Sequence, residues 1–166
     1  MASHLPPDPR ALDRAAELIR AAAHPVVIAG LQCLPGDAGW IRALVEALPA
    51  PLLATAQAKG LLPDAHPLVL GTFTGGEEDD LLLGLADVIV TCGLSPEELN
   101  PGRWPYPALV VHLARTPLSG LPFVPLAAVV GDLALILEEL APRLRGRTQA
   151  DWDLFQIDRL KKAQRG

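Results

Sequence analysis

Two short aliphatic runs, each followed by a glycine, constrain the fold of this chain more than any other feature. They are residues 25–30 (PVVIAG) and residues 87–93 (DVIVTCG). Nearly continuous aliphatic runs of this length are typical of strands buried on both faces of a parallel sheet. Parallel strands need long crossover connections, which are usually helices. The two runs therefore predict an α/β domain.

The rest of the sequence, before, between and after these two runs, contains helical and strand-like patterns. Apolar residues at helical spacing predict helices over residues 11–23, 37–48, 77–86, 133–144 and 149–163. Further strands are predicted over residues 52–55, 108–113 and 122–129. Pro125 indicates an edge position for the last strand. We expect a doubly wound (Rossmann-like), mostly parallel sheet of five or six strands with helices on both faces.

The composition narrows the range of functions. The chain has 166 residues, enough for one core, and a formal net charge of −5, which gives no basic footprint for nucleic acid. No apolar run is long enough for a membrane span, and the first ten residues lack the apolar core of a signal peptide. These features predict a cytoplasmic protein without a nucleic-acid or membrane partner.

Changes in composition suggest three segments. Residues 1–10 are rich in proline and are predicted to be a linker. Asp8 and Asp132 are suitable N-caps for the helices that follow them, the first helix and the one over residues 133–144. Residues 11–145 carry the alternating strands and helices of the domain. A polar break follows, so residues 146–166 are predicted to form a C-terminal linker with a helix.

Ligands of doubly wound folds bind beyond the carboxyl ends of the strands, at the point where the strand order reverses. The turn after the first strand, residues 30–36 (GLQCLPG), has Gln32 where a dinucleotide fingerprint has its second glycine. A tight structural turn is therefore favoured over a dinucleotide loop. A phosphate-binding Walker A loop is also missing from the sequence.

The reactive side chains do not form a recognisable catalytic set. Cys33, Cys92 and His112 lack a neighbouring base and orienting group in the sequence, so buried structural roles are favoured. The acidic residues 77–80 are consecutive and suit the first turn of a helix better than a cation site. The sequence predicts neither a catalytic residue nor a metal site.

Taken in order, several motifs resemble a known pattern. They are residues 25–30 (PVVIAG), 51–55 (PLLAT), 58–75 (AKGLLPDAHPLVLGTFTG), 85–93 (LADVIVTCG) and 129–132 (VVGD). This pattern is similar to the central domain of thiamine-diphosphate-dependent enzymes of the acetolactate synthase-like family. The most specific part is the segment from Lys59 to Gly71, and the resemblance covers about residues 11–140.

The resemblance implies a non-catalytic role. Family members have three α/β domains: the first supplies a glutamate that activates the thiazolium, and the third binds the diphosphate through a metal ion and a Gly-Asp-Gly motif. This chain resembles only the middle domain. The implied partners are the pyrimidine-binding and diphosphate-binding domains, which would hold thiamine diphosphate and magnesium. The parent enzyme would be an acetolactate synthase-like transferase or a 2-oxo acid decarboxylase, assembled as a homo-oligomer.

In acetolactate synthase-like members the middle domain binds FAD. The resemblance assigns the cofactor contacts to Gly30, Leu31, Gln32, Thr55, Gly71, Gly93 and Asp132. Two departures from the pattern stand out. Ser95 occupies a position that is often arginine in FAD-binding members, and the acidic pair expected after the strand over residues 108–113 is replaced by Ala114 and Thr116, on either side of Arg115. The crevice is therefore expected either to hold FAD or another nucleotide, or to hold none.

The alternative interpretation is a stand-alone protein of the same fold that binds FAD, NAD or ADP. It rests on the same predicted crevice and needs no catalytic residue.

Overall fold

A six-stranded parallel sheet forms the centre of the molecule, whose computed structural model describes residues 6–100, 102–117 and 119–165. The strands are β1 (Pro25–Ala29), β2 (Leu52–Ala54), β3 (Val69–Thr72), β4 (Val88–Cys92), β5 (Leu109–Ala114) and β6 (Ala127–Val130). Their order is β3-β2-β1-β4-β5-β6, and every neighbouring pair is parallel. The order reverses between β1 and β4, as expected for a doubly wound fold.

In the described part of the chain, five α-helices lie around the sheet. They are α1 (Pro9–Ala21), α2 (Ala38–Ala47), α3 (Asp80–Leu85), α4 (Leu133–Leu144) and α5 (Leu154–Arg165). Helices α1 and α2 both pack on α4, and α1 also contacts β4, β5 and β6. Among the described residues, no helix is both long and apolar enough to cross a bilayer.

Side chains cap two of the helices as the sequence predicts. The Asp8 carboxylate accepts a hydrogen bond of 3.0 Å from the Arg10 N–H at the start of α1. Asp132 caps α4 in the same way and accepts from the Leu135 N–H at 3.3 Å. Each cap satisfies a backbone donor that the first helical turn leaves unpaired.

Strand β3 is the main element that sequence reasoning missed. The sequence of residues 57–74 predicts an irregular connection rather than a strand, because Pro67 precedes β3 and Gly71 lies within it. The predicted strand over residues 122–129 begins only at Ala127. Pro125 lacks an N–H and lies just before β6, which is the edge strand on that side of the sheet. Residues 77–79 form a short 3-10 helix before α3, where one continuous helix was expected.

The segment after α4 packs on the sheet. The Asp151 N–H donates to the carbonyl of Ala23 at 2.9 Å, and Trp152 Nε1 donates to the carbonyl of Pro25 at 2.8 Å. Helix α5 then packs against β3, the other edge strand. Residues 1–5 of the predicted N-terminal linker and residue 166 lie outside the described part, and the boundaries 11–145 and 146–166 stay predictions.

A buried lysine holds α5 in place. Lys161 is only 9% exposed, and its Nζ donates to the carbonyls of Asp64 and His66 at 2.7 and 2.6 Å. The His66 ring itself lies 2.9 Å from Glu46 Oε2 through Nε2 and accepts from the Leu68 N–H at 3.1 Å through Nδ1. Both ring nitrogens of His66 therefore have partners other than Asp64, its close neighbour in sequence.

We predict that Lys161→Met destabilises the chain by about 2 kcal/mol, because two hydrogen bonds from a charged donor are lost. Lys162→Met is the matched control, since the Lys162 side chain is 75% exposed and only forms a surface pair with Asp158. We expect that control to change stability by less than about 0.5 kcal/mol. Hydrogen exchange of α5 and chemical unfolding measure both effects. Equal effects of the two substitutions would contradict this role of Lys161.

Candidate functional site

The turns that follow β1 and β4 meet at the point where the strand order reverses. We call the space between them the switch-point crevice; it is bordered by residues 30–33 and 93–98. The Gly30 N–H donates to the carbonyl of Cys92 at 2.9 Å, and the Gln32 N–H donates to the carbonyl of Gly93 at 2.8 Å. The two turns are therefore fixed to each other by the backbone.

The carboxylate of Glu98 lies inside this crevice. Leu31 donates its N–H to both carboxylate oxygens, at 2.8 Å to Oε1 and 2.9 Å to Oε2. The Ser95 N–H donates to Oε2 at 2.8 Å, and the Thr55 hydroxyl donates to Oε1 at 2.5 Å. Donors from the turns after β1, β2 and β4 thus converge on one anionic group.

The glycines at the strand ends make this approach feasible. A Cβ at position 30 would lie 2.6 Å from Glu98 Oε2 and 2.7 Å from the Cα of Leu94. Gly93 has a φ of +69°, and a Cβ there would lie 2.8 Å from Cys33 Sγ. Both positions exclude any larger residue, Gly30 by contact and Gly93 by contact and backbone conformation.

Arg115 connects the neighbouring turns. Its N–H and its Nε donate to Gln32, at 2.8 Å to the side-chain oxygen and 2.9 Å to the carbonyl. Its Nη2 pairs with Asp37 at 2.8 Å, and its Nη1 lies 3.9 Å from Asp132. The Gln32 amide completes the set by donating to the Thr116 hydroxyl at 2.9 Å. This guanidinium is therefore shared between two carboxylates.

The structure places the seven residues predicted to contact a cofactor in three groups. Gly30, Leu31 and Thr55 lie against Glu98, with Gly93 beside Gly30 and Cys33, whereas Gln32 and Asp132 lie beside Arg115. Gly71 is two strands away from β1, on β3, where it lines a separate cavity of about 530 Å³. Their cofactor-binding role stays a prediction.

Sequence reasoning missed Glu98 and Arg115. A signal for Glu98 was present, since residues 95–98 (SPEE) fit the S-x-x-E capping pattern, and the structure has that capping box on a 3-10 turn. The partners in the turns after β1 and β2 are far away in sequence and give no local signal. For Arg115 the family resemblance indicated only the loss of the acidic pair at its two neighbours, Ala114 and Thr116.

Two other reactive side chains, those of Cys92 and Asp79, are buried in the interior of the domain. Hydrogen bonding with the Cys33 thiol that favours the neutral Cys92 thiol, together with complete burial, raises the pKa of Cys92 well above its usual value, which disfavours the nucleophilic thiolate. Asp79 is also fully buried, and burial raises its pKa. Its carboxylate accepts the N–H groups of Thr74 and Gly75 at 2.9 and 2.8 Å.

His112 is a buried histidine on β5. Its Nδ1 lies 2.6 Å from the hydroxyl of Thr91 on β4, and its ring centroid lies 5.7 Å from that of Phe123. Phe123 continues into an aromatic cluster through Trp104, at a centroid distance of 4.5 Å. Burial lowers the pKa of His112 from the usual 6.5 to about 4. The neutral imidazole is therefore part of the core.

Comparison with known proteins agrees with the motif order and the sheet topology. Residues 12–140 match the family model described as thiamine pyrophosphate enzyme, central domain. The chain belongs to this family. The central domain is 32% identical over 166 aligned residues to human 2-hydroxyacyl-CoA lyase 2, an alignment that covers 93% of this chain and 26% of that protein.

Two bacterial relatives support the same assignment. A sulfoacetaldehyde acetyltransferase of Rhodobacter capsulatus is 34% identical, with 67% of this chain and 20% of that protein covered. The acetolactate synthase isozyme 1 large subunit of Escherichia coli is 29% identical, and the alignment covers 87% of this chain and 26% of that protein. The central domain thus spans about a quarter of the length of these relatives or less.

Solved structures show the same fold. A Mycobacterium smegmatis protein described as a thiamin diphosphate-dependent enzyme superposes with a TM-score of 0.72 and 25% identity, covering 87% of this chain and 29% of that one. Benzoylformate decarboxylase from Polynucleobacter necessarius superposes with a TM-score of 0.71 and 24% sequence identity, again covering 87% of this chain and 29% of that one. The predicted family and fold class are therefore confirmed.

We predict that Arg115→Leu destabilises the central domain by about 3 kcal/mol, because it leaves Asp37 buried without its cation. The Asp37 side chain is only 4% exposed. Arg14→Leu is the control, since Arg14 forms an exposed pair with Glu17 at 3.8 Å and should contribute less than about 1 kcal/mol. Urea unfolding measures both. A change below about 1 kcal/mol for Arg115→Leu would contradict the bridging role.

A second prediction concerns pH. His112 takes up a proton near pH 6.5 when unfolded but only near pH 4 when folded, so the unfolded state holds more protons between these values. Stability is therefore full above about pH 6.5 and falls as the pH drops toward 4. We expect His112→Gln to flatten this part of the profile in urea titrations. Thr91→Val, which keeps the imidazole, should lower stability but keep the slope; parallel profiles for wild type and His112→Gln would refute the assignment.

Proposed function

We propose that this chain is a non-catalytic central domain that packs between the pyrimidine-binding and diphosphate-binding domains of a thiamine-diphosphate-dependent enzyme. The observation that carries the proposal is the family match over residues 12–140, combined with coverage of about a quarter of each relative. Three quarters of such proteins lie outside the matched region, and this is where we place thiamine diphosphate, its magnesium ion and the catalytic residues.

The donor sets in this chain support that division. Among the described residues, no group of three or more histidine, cysteine, aspartate or glutamate side chains could hold a metal ion. Magnesium with a diphosphate takes one or two protein carboxylates besides the phosphate oxygens, and the Gly-Asp-Gly motif that the resemblance gives this role does not occur in the sequence. We therefore place the thiamine diphosphate–magnesium group in the diphosphate-binding domain.

Exposed apolar side chains at both edges of the sheet support packing between two neighbours. Near the β6 edge, Leu109, Val124 and Leu126 are 46%, 93% and 46% exposed. At the opposite edge, α5 covers β3 and begins with Leu154 and Phe155, which are 66% and 81% exposed. Apolar groups at such exposure favour burial against a partner.

The activities of two relatives favour a transferase as the parent enzyme. One is an acetyltransferase and another is an acetolactate synthase subunit. We therefore propose an acetolactate synthase-like transferase ahead of a 2-oxo acid decarboxylase, assembled as a homo-oligomer.

The proposal predicts that turnover needs the neighbouring domains. The coding region around this segment is expressed as its native polypeptides and assayed with thiamine diphosphate, magnesium and a 2-oxo acid such as pyruvate. We expect turnover only when a pyrimidine-binding and a diphosphate-binding domain accompany the central domain. Turnover by the isolated 166-residue chain, or a coding region without either domain, would overturn the proposal.

Single substitutions at the two edges sharpen this test. We expect Val124→Asp and Phe155→Asp each to weaken the association of the central domain with its neighbouring domains at least about tenfold. Each substitution would place a charge in a buried interface. Leu81→Asp, at a residue that is 63% exposed on α3, is the matched control and should leave assembly unchanged. Size-exclusion chromatography and circular dichroism would separate lost assembly from lost folding. Unchanged assembly in both edge variants would place the interface elsewhere.

A further inference from the structure

We infer that Glu98 occupies the position in the switch-point crevice where a nucleotide phosphate would bind, and that it excludes FAD and ADP from this central domain. The inference goes beyond the proposed function, which needs no nucleotide in this domain. It starts from a general property of doubly wound folds. Backbone N–H groups after the strands at the reversal point bind the phosphates of a nucleotide, and a glycine lets the phosphates approach.

In this chain the corresponding donors already have an anionic acceptor. The N–H groups of Leu31 and Ser95 and the hydroxyl of Thr55 all donate to the Glu98 carboxylate at 2.5–2.9 Å. The space that Gly30 leaves open is filled as well, since a Cβ there would lie 2.6 Å from Glu98 Oε2. A phosphate could use these donors only after the carboxylate has moved away.

The backbone around Glu98 opposes that movement. Glu98 ends the 3-10 turn Pro96–Glu98, and its N–H donates to the carbonyl of Ser95 at 3.0 Å. Leu94 and Leu99 flank this segment and are 0% and 8% exposed, so both are anchored in the core. The carboxylate is thus held on a segment fixed at both ends.

The charge around the crevice also disfavours an anionic ligand. A cleft of about 520 Å³ opens beside Glu98, and its lining includes the carboxylates of Glu97 and Glu98 but neither lysine nor arginine. The nearby cation on the other side, Arg115, already pairs with Asp37 at 2.8 Å. A diphosphate in this cleft would meet two carboxylates without a compensating positive charge.

The same contacts determine whether FAD fits the switch-point crevice. The residues that the family resemblance assigns to the flavin are present, but Leu31 and Thr55 are bonded to Glu98, and Gln32 is bonded to Arg115. The site as built does not fit a dinucleotide. Its glycines instead allow an internal carboxylate to fasten the turns after β1, β2 and β4 together.

The test measures binding of ADP, FAD and inorganic phosphate to the full chain by isothermal titration calorimetry and thermal shift. Wild type is expected to show no saturable binding of any of the three. Glu98→Ala frees the donors and the space next to Gly30, and we expect it to bind ADP at least about tenfold more tightly than wild type does. Glu17→Ala is the control, because it also removes one carboxylate, but from an exposed glutamate on α1 that pairs with Arg14 at 3.8 Å, and it should behave as wild type.

Two results would overturn the inference. Saturable binding of FAD or ADP by wild type would show that Glu98 does not exclude them, and absence of any gain in Glu98→Ala would show that Glu98 is not the reason for exclusion. Circular dichroism checks that the variant is folded. If Glu98→Ala does not fold, Glu98→Gln decides, since it keeps the size of the side chain but removes the charge, and a gain in phosphate or ADP binding is again expected. The turnover assay above is independent, so the central-domain proposal stands or falls separately.

Discussion

The pairing of β1 with β4 is the constraint on which the rest of the structure depends. All five residues of each strand are buried, and the two strands pair over the full range from Pro25 with Val88 to Ala29 with Cys92. Because every side chain of both strands is enclosed, helices or loops must cover both faces of the sheet. The same pairing brings two glycine turns together at the reversal of strand order and creates the crevice that Glu98 fills.

The backbone N–H groups in the crevice can donate to different anionic acceptors. A glycine after a buried strand permits close approach of an anionic group, whether the group belongs to a ligand or to the protein. In this central domain the group belongs to Glu98, which comes from the turn after β4. The Arg115 contacts to Asp37 and Gln32 then fix the next turn along the sheet. The result is a carboxyl edge held by charged side chains where a ligand would otherwise be bound.

The sequence was sufficient for the fold but only partly for the site. Continuous aliphatic runs predicted β1 and β4, and local capping chemistry predicted the role of Asp132, because each signal lies within a few residues. The short strand β3 was missed because Gly71 interrupts its pattern. Glu98 was missed because its main donors, Leu31 and Thr55, lie 67 and 43 residues away. Contacts of that range depend on the strand order, which local patterns do not contain.

The two edges of the sheet are protected in different ways. Helix α5 covers β3, whereas β6 has only four residues and follows Pro125. A short edge strand beside a proline offers few unpaired backbone groups for strand addition. A neighbour that docks near Val124 must therefore rely on side-chain contacts. Because β6 is short and follows a proline, the domain can expose apolar side chains at this edge and still resist strand pairing with other molecules, which leads to aggregation.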